Sequence, residues 1–362
     1  MMGNSKKWCC RTLRLVLAVT ALLGGLTALI DPFFHYHAPL EGVSYRILEQ
    51  RYQNDGIVKH FSYDAMITGT SMTENFRTSE LDGLFGVRSV KVPFSGASFK
   101  EIDGNLQRAI RANPRLSMVV RSLDGYMLLS HKDEMRTDAE YPEYLYDDSL
   151  FNDASYLFNM EVLLNHTVKA LQYTVAGKET TSFDEYSFWA DQHAYGPEQL
   201  LENHSIPEEY PESCALDEAA ARVLRENVLQ NVTATALANP DIEFYYYFPP
   251  YSIVWWSGEK NDGRLDRQMD AFELATEEIL KCENIHLFSF VDDREITTDL
   301  YNYTDREHHT AQVNSKILED MRAGKNLLTW ENYQSYWEKA REFYGDFDYA
   351  GCFAGYGYPV DP

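Results

Sequence analysis

Five short apolar runs, separated by stretches of helical periodicity, constrain this chain more than any other feature. They are residues 64–68 (DAMIT), 89–93 (SVKVP), 117–123 (SMVVRSL), 243–248 (EFYYYF) and 285–291 (IHLFSFV). Each is rich in β-forming residues and bounded by turn chemistry, and most are continuous rather than alternating. A strand that is apolar on both sides is one covered on both faces, the usual condition of a parallel sheet. Helical spacing appears at residues 99–112, 158–173, 217–237, 265–282, 310–322 and 329–344. The punctuation agrees: Asp217 and Thr310 stand at helix starts, and Pro114, Asn239-Pro240 and Gly324 at ends. This alternation predicts an α/β fold, a three-layer α/β/α sandwich around a mainly parallel five-stranded sheet of flavodoxin-like type.

Two segments fall outside that alternation. Residues 125–215 separate the third and fourth strands by too much for a simple crossover, and read as an insertion rich in Asp, Glu and Tyr. Such loops gather at one end of a sheet and shape binding sites, or serve as solvated lids. Residues 15–30 (LVLAVTALLGGLTALI) carry no charge. They are fewer than the roughly 20 residues of a full span, but Arg14 can snorkel and Pro32-Phe33-Phe34 can sit at the interface. Lys6, Lys7, Arg11 and Arg14 precede the run and no acid does, which by the positive-inside rule leaves the N-terminus in the cytoplasm. The rival is a cleaved signal peptide, but Leu29-Ile30-Asp31-Pro32 offers no small-x-small cleavage site. The expected organisation is a basic tail at 1–14, an anchor at 15–34, an extracytoplasmic domain at 35–345 and an irregular tail at 346–362.

The whole chain is −24, so the part beyond the anchor carries −28. That charge repels phosphates and excludes nucleic acid as a partner. Cys9 and Cys10 flank the anchor, while Cys214, Cys282 and Cys352 are scattered without zinc spacing, leaving room for one bridge among the three. His35-Tyr36-His37 has no nearby carboxylate and makes a poor metal site. No metal and no cofactor are expected.

The chemistry lies at two places. The first strand ends in Gly69-Thr70-Ser71, where open α/β folds form their crevice and place a nucleophile. Gly permits a tight bend, and the N–H groups of a following helix could hold an oxyanion. Gly-x-Ser also occurs at residues 3–5, 42–44 and 96–98, and Ser71 could be a plain helix cap. The second place is Asp305-Arg306-Glu307-His308, ahead of the last long helices. Asp305 can bond one imidazole nitrogen of His308 and aim the other at a nucleophile, as a triad requires. His309, four residues from Asp305, competes for the same role.

Together these blocks resemble the SGNH/GDSL hydrolase family, over roughly residues 60–325. Gly69-Thr70-Ser71 stands where that family has its nucleophile, and Asp305-x-x-His308 where it has its acid–base block. The resemblance implies that Gly96 adds a backbone N–H to the oxyanion hole beside Ser71. It is nearest to membrane-anchored relatives of the teichoic-acid D-alanylation protein, which share the N-terminal span and an Asn after the D-x-x-H block, here Asn314. Such proteins work beside a membrane-bound O-acyltransferase, which the resemblance therefore implies as a partner. One block departs. The family's Asn after the third strand is replaced by Asp124, and a carboxylate cannot donate a hydrogen bond. Either Ser71 and Gly96 form the hole alone, or Asp124 has another role. The expected function is a serine acyl-ester hydrolase or O-acyltransferase that uses Ser71, His308 and Asp305 on an acyl ester or acylated envelope glycan. The alternative is a degenerate scaffold or glycan-binding protein, favoured by Asp124.

Overall fold

The structure is a computed structural model that describes residues 2–136, 141–147 and 149–357, with side chains from residue 5 onward. Its backbone contacts divide the chain into two compact units. One comprises residues 1–62 and 138–182, and the other residues 63–137 and 183–362. The insertion read from the sequence is therefore split: residues 138–182 join the N-terminal unit, and residues 125–137 and 183–215 join the sheet unit.

The sheet unit holds five strands, all parallel: β1 (Ala65–Gly69), β2 (Ser89–Pro93), β3 (Met118–Ser122), β4 (Glu243–Phe248) and β5 (Ile285–Ser289). The order across the sheet is β2-β1-β3-β4-β5. The chain steps one way from β1 to β2 and the other way from β3 onward, so the topological switch lies between β1 and β3. Every residue of β1, β2 and β3 is buried, which explains their continuous apolar runs. Two strand cations are buried as well. The Arg121 guanidinium donates to the Asn231 and Phe99 carbonyls. The Lys91 ammonium donates to the Glu74 and Phe76 carbonyls at 2.5 and 2.8 Å, and burial pushes its pKa down to about 7.

Helices follow the periodicity closely where caps are strong. Phe99–Ala112 begins at a complete capping box, in which the Ser98 hydroxyl accepts from the Glu101 N–H and the Glu101 carboxylate accepts from the Ser98 N–H. Leu265–Ile279, Ala311–Ala323 and Tyr333–Asp346 match their expected positions to within a few residues. The helix expected at 217–237 instead runs Glu218–Val228, then one π-turn at Leu229–Thr233, then Ala234–Leu237. The tail expected to be irregular contains a helix, Tyr349–Gly355, and its last five residues, 358–362, lie outside the described residues. The Asp348 side chain caps this helix at the Gly351 N–H, and Tyr349 and Phe353 on its face are buried. All five cysteines are free, so no bridge joins Cys214, Cys282 and Cys352.

The N-terminal unit begins with the helix Met2–Ile30, whose stretch Ser5–Ile30 is long and apolar enough to cross a membrane. The chain turns at Asp31, whose buried carboxylate accepts from the N–H groups of His35, Tyr36 and His37 and from the Tyr156 hydroxyl. Phe33 and Phe34, read from the sequence as interfacial, are buried in this unit's core, where Phe33 stacks on Tyr156. A helix at Gln50–His60 has no counterpart in the periodicity, because its buried face contains Gln53, Asn54 and Asp55. Gln53 is satisfied there by donating to the carbonyls of Pro32 and Arg46 and accepting from the N–H groups of Leu48 and Glu49.

Candidate active site

The site lies beyond the carboxyl ends of the strands of the sheet unit: Ser71 follows β1, Gly96 follows β2, Asp124 follows β3, and Asp305 and His308 follow β5. β1 ends at Gly69, whose φ of +147° is unfavourable for residues with a side chain. A Cβ there would also collide with the Ser122 hydroxyl and the Thr73 methyl. Glycine thus lets the chain bend sharply between two neighbouring strand ends. The bend leads into one 3₁₀ turn, Ser71–Thr73, rather than a long helix. The Thr70 hydroxyl caps it at the Met72 N–H, and the Thr73 hydroxyl donates back to the Thr70 carbonyl. Any contribution of the turn to anion binding therefore comes from individual N–H groups and not from a macrodipole, which needs several turns to build up.

Ser71, His308 and Asp305 come together across 237 residues of sequence. Ser71 Oγ lies 2.7 Å from His308 Nε2, and His308 Nδ1 lies 2.7 Å from Asp305 Oδ2. The D-x-x-H block is not helical. Asp305 Oδ1 accepts from the N–H groups of Glu307 and His308 at 2.8 Å, forming an Asx-type turn that locks the carboxylate under the imidazole. His309 is held elsewhere. It is buried, its Nδ1 is 3.3 Å from the Thr310 carbonyl, and burial drives its pKa down to about 4. The structure thus aims His308, not His309, at Ser71.

The charges are biased for a base. Burial opposes the imidazolium of His308, but the hydrogen bond and charge of Asp305 outweigh it and raise the pKa above its ordinary value. Burial opposes the Asp305 anion too, yet its bonds with His308 leave its pKa below the ordinary one. Trp189 meets the His308 ring edge-on, with centroids 5.6 Å apart and an interplanar angle of 80°. Its indole N–H donates to Glu74 at 2.6 Å, and its backbone N–H donates to Asn75.

These residues open onto a cleft of about 430 Å³ lined by Ser71, Gly96, Arg136, Trp189, His193 and Glu307, among others. Gly96 follows β2 with a φ of +61°, and a Cβ there would collide with the Arg136 guanidinium. Arg136 donates to the Ser95 carbonyl at 2.6 Å beside it. Among the described residues, neither the Ser71 nor the Gly96 N–H makes an intramolecular hydrogen bond, which leaves both free for an oxyanion. A second cavity of about 460 Å³ shares Tyr126 and Glu307 with the cleft and continues past Trp255, Arg267 and Arg306.

Asp124 sits below this floor rather than in it. It is buried, and it accepts from the hydroxyls of Thr70, Ser122 and Tyr251 at 2.9, 3.2 and 3.4 Å. Burial raises its pKa, against these hydrogen bonds and the charge of His308, which lower it. It ties the end of β1 to the end of β3 across the topological switch. Asn314, placed by the same resemblance, is buried and donates to the Met72 carbonyl, so it braces the turn that carries Ser71.

No sequence signal marks Trp189, His193 or Arg136. All three lie in the insertion, whose composition is polar and whose periodicity is weak. Glu74, three residues after Ser71, is marked only by its nearness to Ser71. Among the described residues, no group of three or more His, Cys, Asp or Glu is arranged to hold a metal ion. No protein-family model, curated protein or solved structure matches this chain.

Proposed function

We propose that the protein is a membrane-anchored serine acyl-ester hydrolase or O-acyltransferase. In this reading its sheet unit is a three-layer, flavodoxin-like sandwich of SGNH type. The supporting observation is the unbroken relay from Ser71 through His308 to Asp305, facing a cleft with two free N–H groups. Ser71 Oγ attacks the ester carbonyl while His308 Nε2 takes its proton. The oxyanion is held by the N–H groups of Ser71 and Gly96, and His308 returns the proton to the departing alkoxide. The acyl-Ser71 ester then passes to a hydroxyl whose proton His308 takes: water for a hydrolase, a carbohydrate hydroxyl for a transferase. As that second tetrahedral intermediate collapses, the acyl C–Oγ bond breaks and His308 returns its proton to Ser71 Oγ, which frees Ser71.

The location rests on the apolar helix and the four cations before it. They support a single span with the N-terminus cytoplasmic and the catalytic unit outside. An acylated envelope polymer is then the substrate class at hand, and a membrane-bound O-acyltransferase a fitting donor partner. The Asp124 carboxylate is engaged with three hydroxyls and does not line the cleft, which weighs against the scaffold reading. Hydrolysis of a chromogenic acetyl ester tests the reading. Ser71→Ala should lower kcat by about 10⁴-fold or more. Turnover that survives the substitution refutes the assignment.

A further inference from the structure

We infer that residues 149–165 form a second membrane contact, an apolar surface that lies in the outer leaflet beside the anchor helix. The inference rests on the reading of residues 15–30 as a span. Sixteen residues rise about 24 Å, less than the roughly 30 Å of a hydrocarbon core, so the run has no length to spare above the bilayer. Its last turns are nevertheless covered by protein. Gly24, Thr27 and Ile30, spaced three apart, are the buried residues of the stretch 15–30. They form one face, against which residues 154–157 and 162–167 of the same unit pack.

Gly24 fixes the depth of that contact. Its missing side chain makes room for the Phe158 ring, which a Cβ would strike. Gly24 lies six residues, or about 9 Å, inside the outer end of the apolar run. Whatever packs on it enters the hydrocarbon with it.

The side chains around Phe158 fit that position. Phe151 is 99% exposed and Leu150 74%, and Phe158, Met160 and Leu164 are at least half exposed. Exposed apolar side chains at this density along one short segment, in a chain of net charge −24, suit an apolar partner. From 149 to 168 there is no Lys or Arg. Of the two carboxylates there, Asp153 is buried against His35 and Tyr36. The other, Glu161, is exposed and accepts from the Asn165 amide. An element that lies in the interface with its apolar side chains in the acyl region is an established way for proteins to hold a bilayer, and here it adds to a span that is short.

Photolabelling of the full-length wild-type chain tests this. The protein is reconstituted in phosphatidylcholine vesicles doped with a phosphatidylcholine that carries a diazirine in its acyl chain. It is then irradiated and digested, and the adducts are mapped by mass spectrometry. Adducts are expected on residues 15–30 and on 149–165. The L150S/F151S double substitution removes exposed side chains only, and should lower the yield on 149–165 several-fold while leaving the anchor's unchanged. Adducts on the anchor alone overturn the inference and leave the span standing. Adducts on neither segment overturn the span, and the inference with it. A 149–165 segment that escapes lipid but crosslinks to another protein in native membranes overturns the inference in favour of a protein partner.

Discussion

Asp124 illustrates how one residue changes meaning between sequence and structure. As a letter it stands where a donor is wanted, and an anion there would repel the developing oxyanion. In the structure it is the acceptor for the hydroxyls of Thr70, Ser122 and Tyr251. Replacing Asp124 by Leu should cost about 1–3 kcal/mol in stability, the usual penalty for buried polar groups stripped of their partner. Asp124→Asn keeps an acceptor oxygen and should lose less, with activity falling only as far as Ser71 is displaced. Thermal unfolding of the detergent-solubilised protein measures the difference. His308 carries the pH dependence. It must be neutral to accept the Ser71 proton, and its pKa lies above the ordinary 6.5. The ester-hydrolysis rate should therefore rise with pH through a midpoint above 6.5. Asp305→Asn removes the negative charge that stabilises the imidazolium, so the midpoint should move to lower pH while the plateau falls by about 10²–10⁴-fold. A midpoint that stays where it was would separate Asp305 from His308.

At the scale of elements, legibility tracked local chemistry. The capped helix Phe99–Ala112 and the strand Ser89–Pro93 were legible to the residue, because a capping box and a fully buried apolar run are local signals. Ser98→Ala should lower stability by about 1 kcal/mol, checked by the same unfolding measurement. Gln50–His60 was not legible, since its buried face is polar and is satisfied by carbonyls far from it in sequence. The turn after β1 was half legible. Gly69 and Ser71 are readable, but the length of the helix behind them depends on packing. Gly96 makes a sharper test of that region. Alanine there meets both a positive φ, costing about 1–2 kcal/mol, and the Arg136 guanidinium. Gly96→Ala should impair kcat more than KM, because the N–H it displaces matters only once the oxyanion forms.

At the scale of the molecule, the acidic bulk and the basic N-terminus give the chain a polarity that a simple experiment can read. A membrane-impermeant maleimide should label the exposed Cys214 in intact cells, and Cys9 and Cys10 only after lysis. The opposite pattern would invert the proposed orientation. The sheet order was legible only as a fold class, because strand neighbours are fixed by long-range pairing. The contact of Ser71, His308 and Asp305 was legible as a candidate, because the residue types and their order along the chain are readable even when their distances are not. The most direct test of the central claim is reaction of the purified protein with a fluorophosphonate, followed by peptide mapping. Covalent modification is expected at Ser71, lost in Ser71→Ala and slowed in His308→Ala. A wild-type protein that resists the probe, or labelling that persists in Ser71→Ala, would contradict the account.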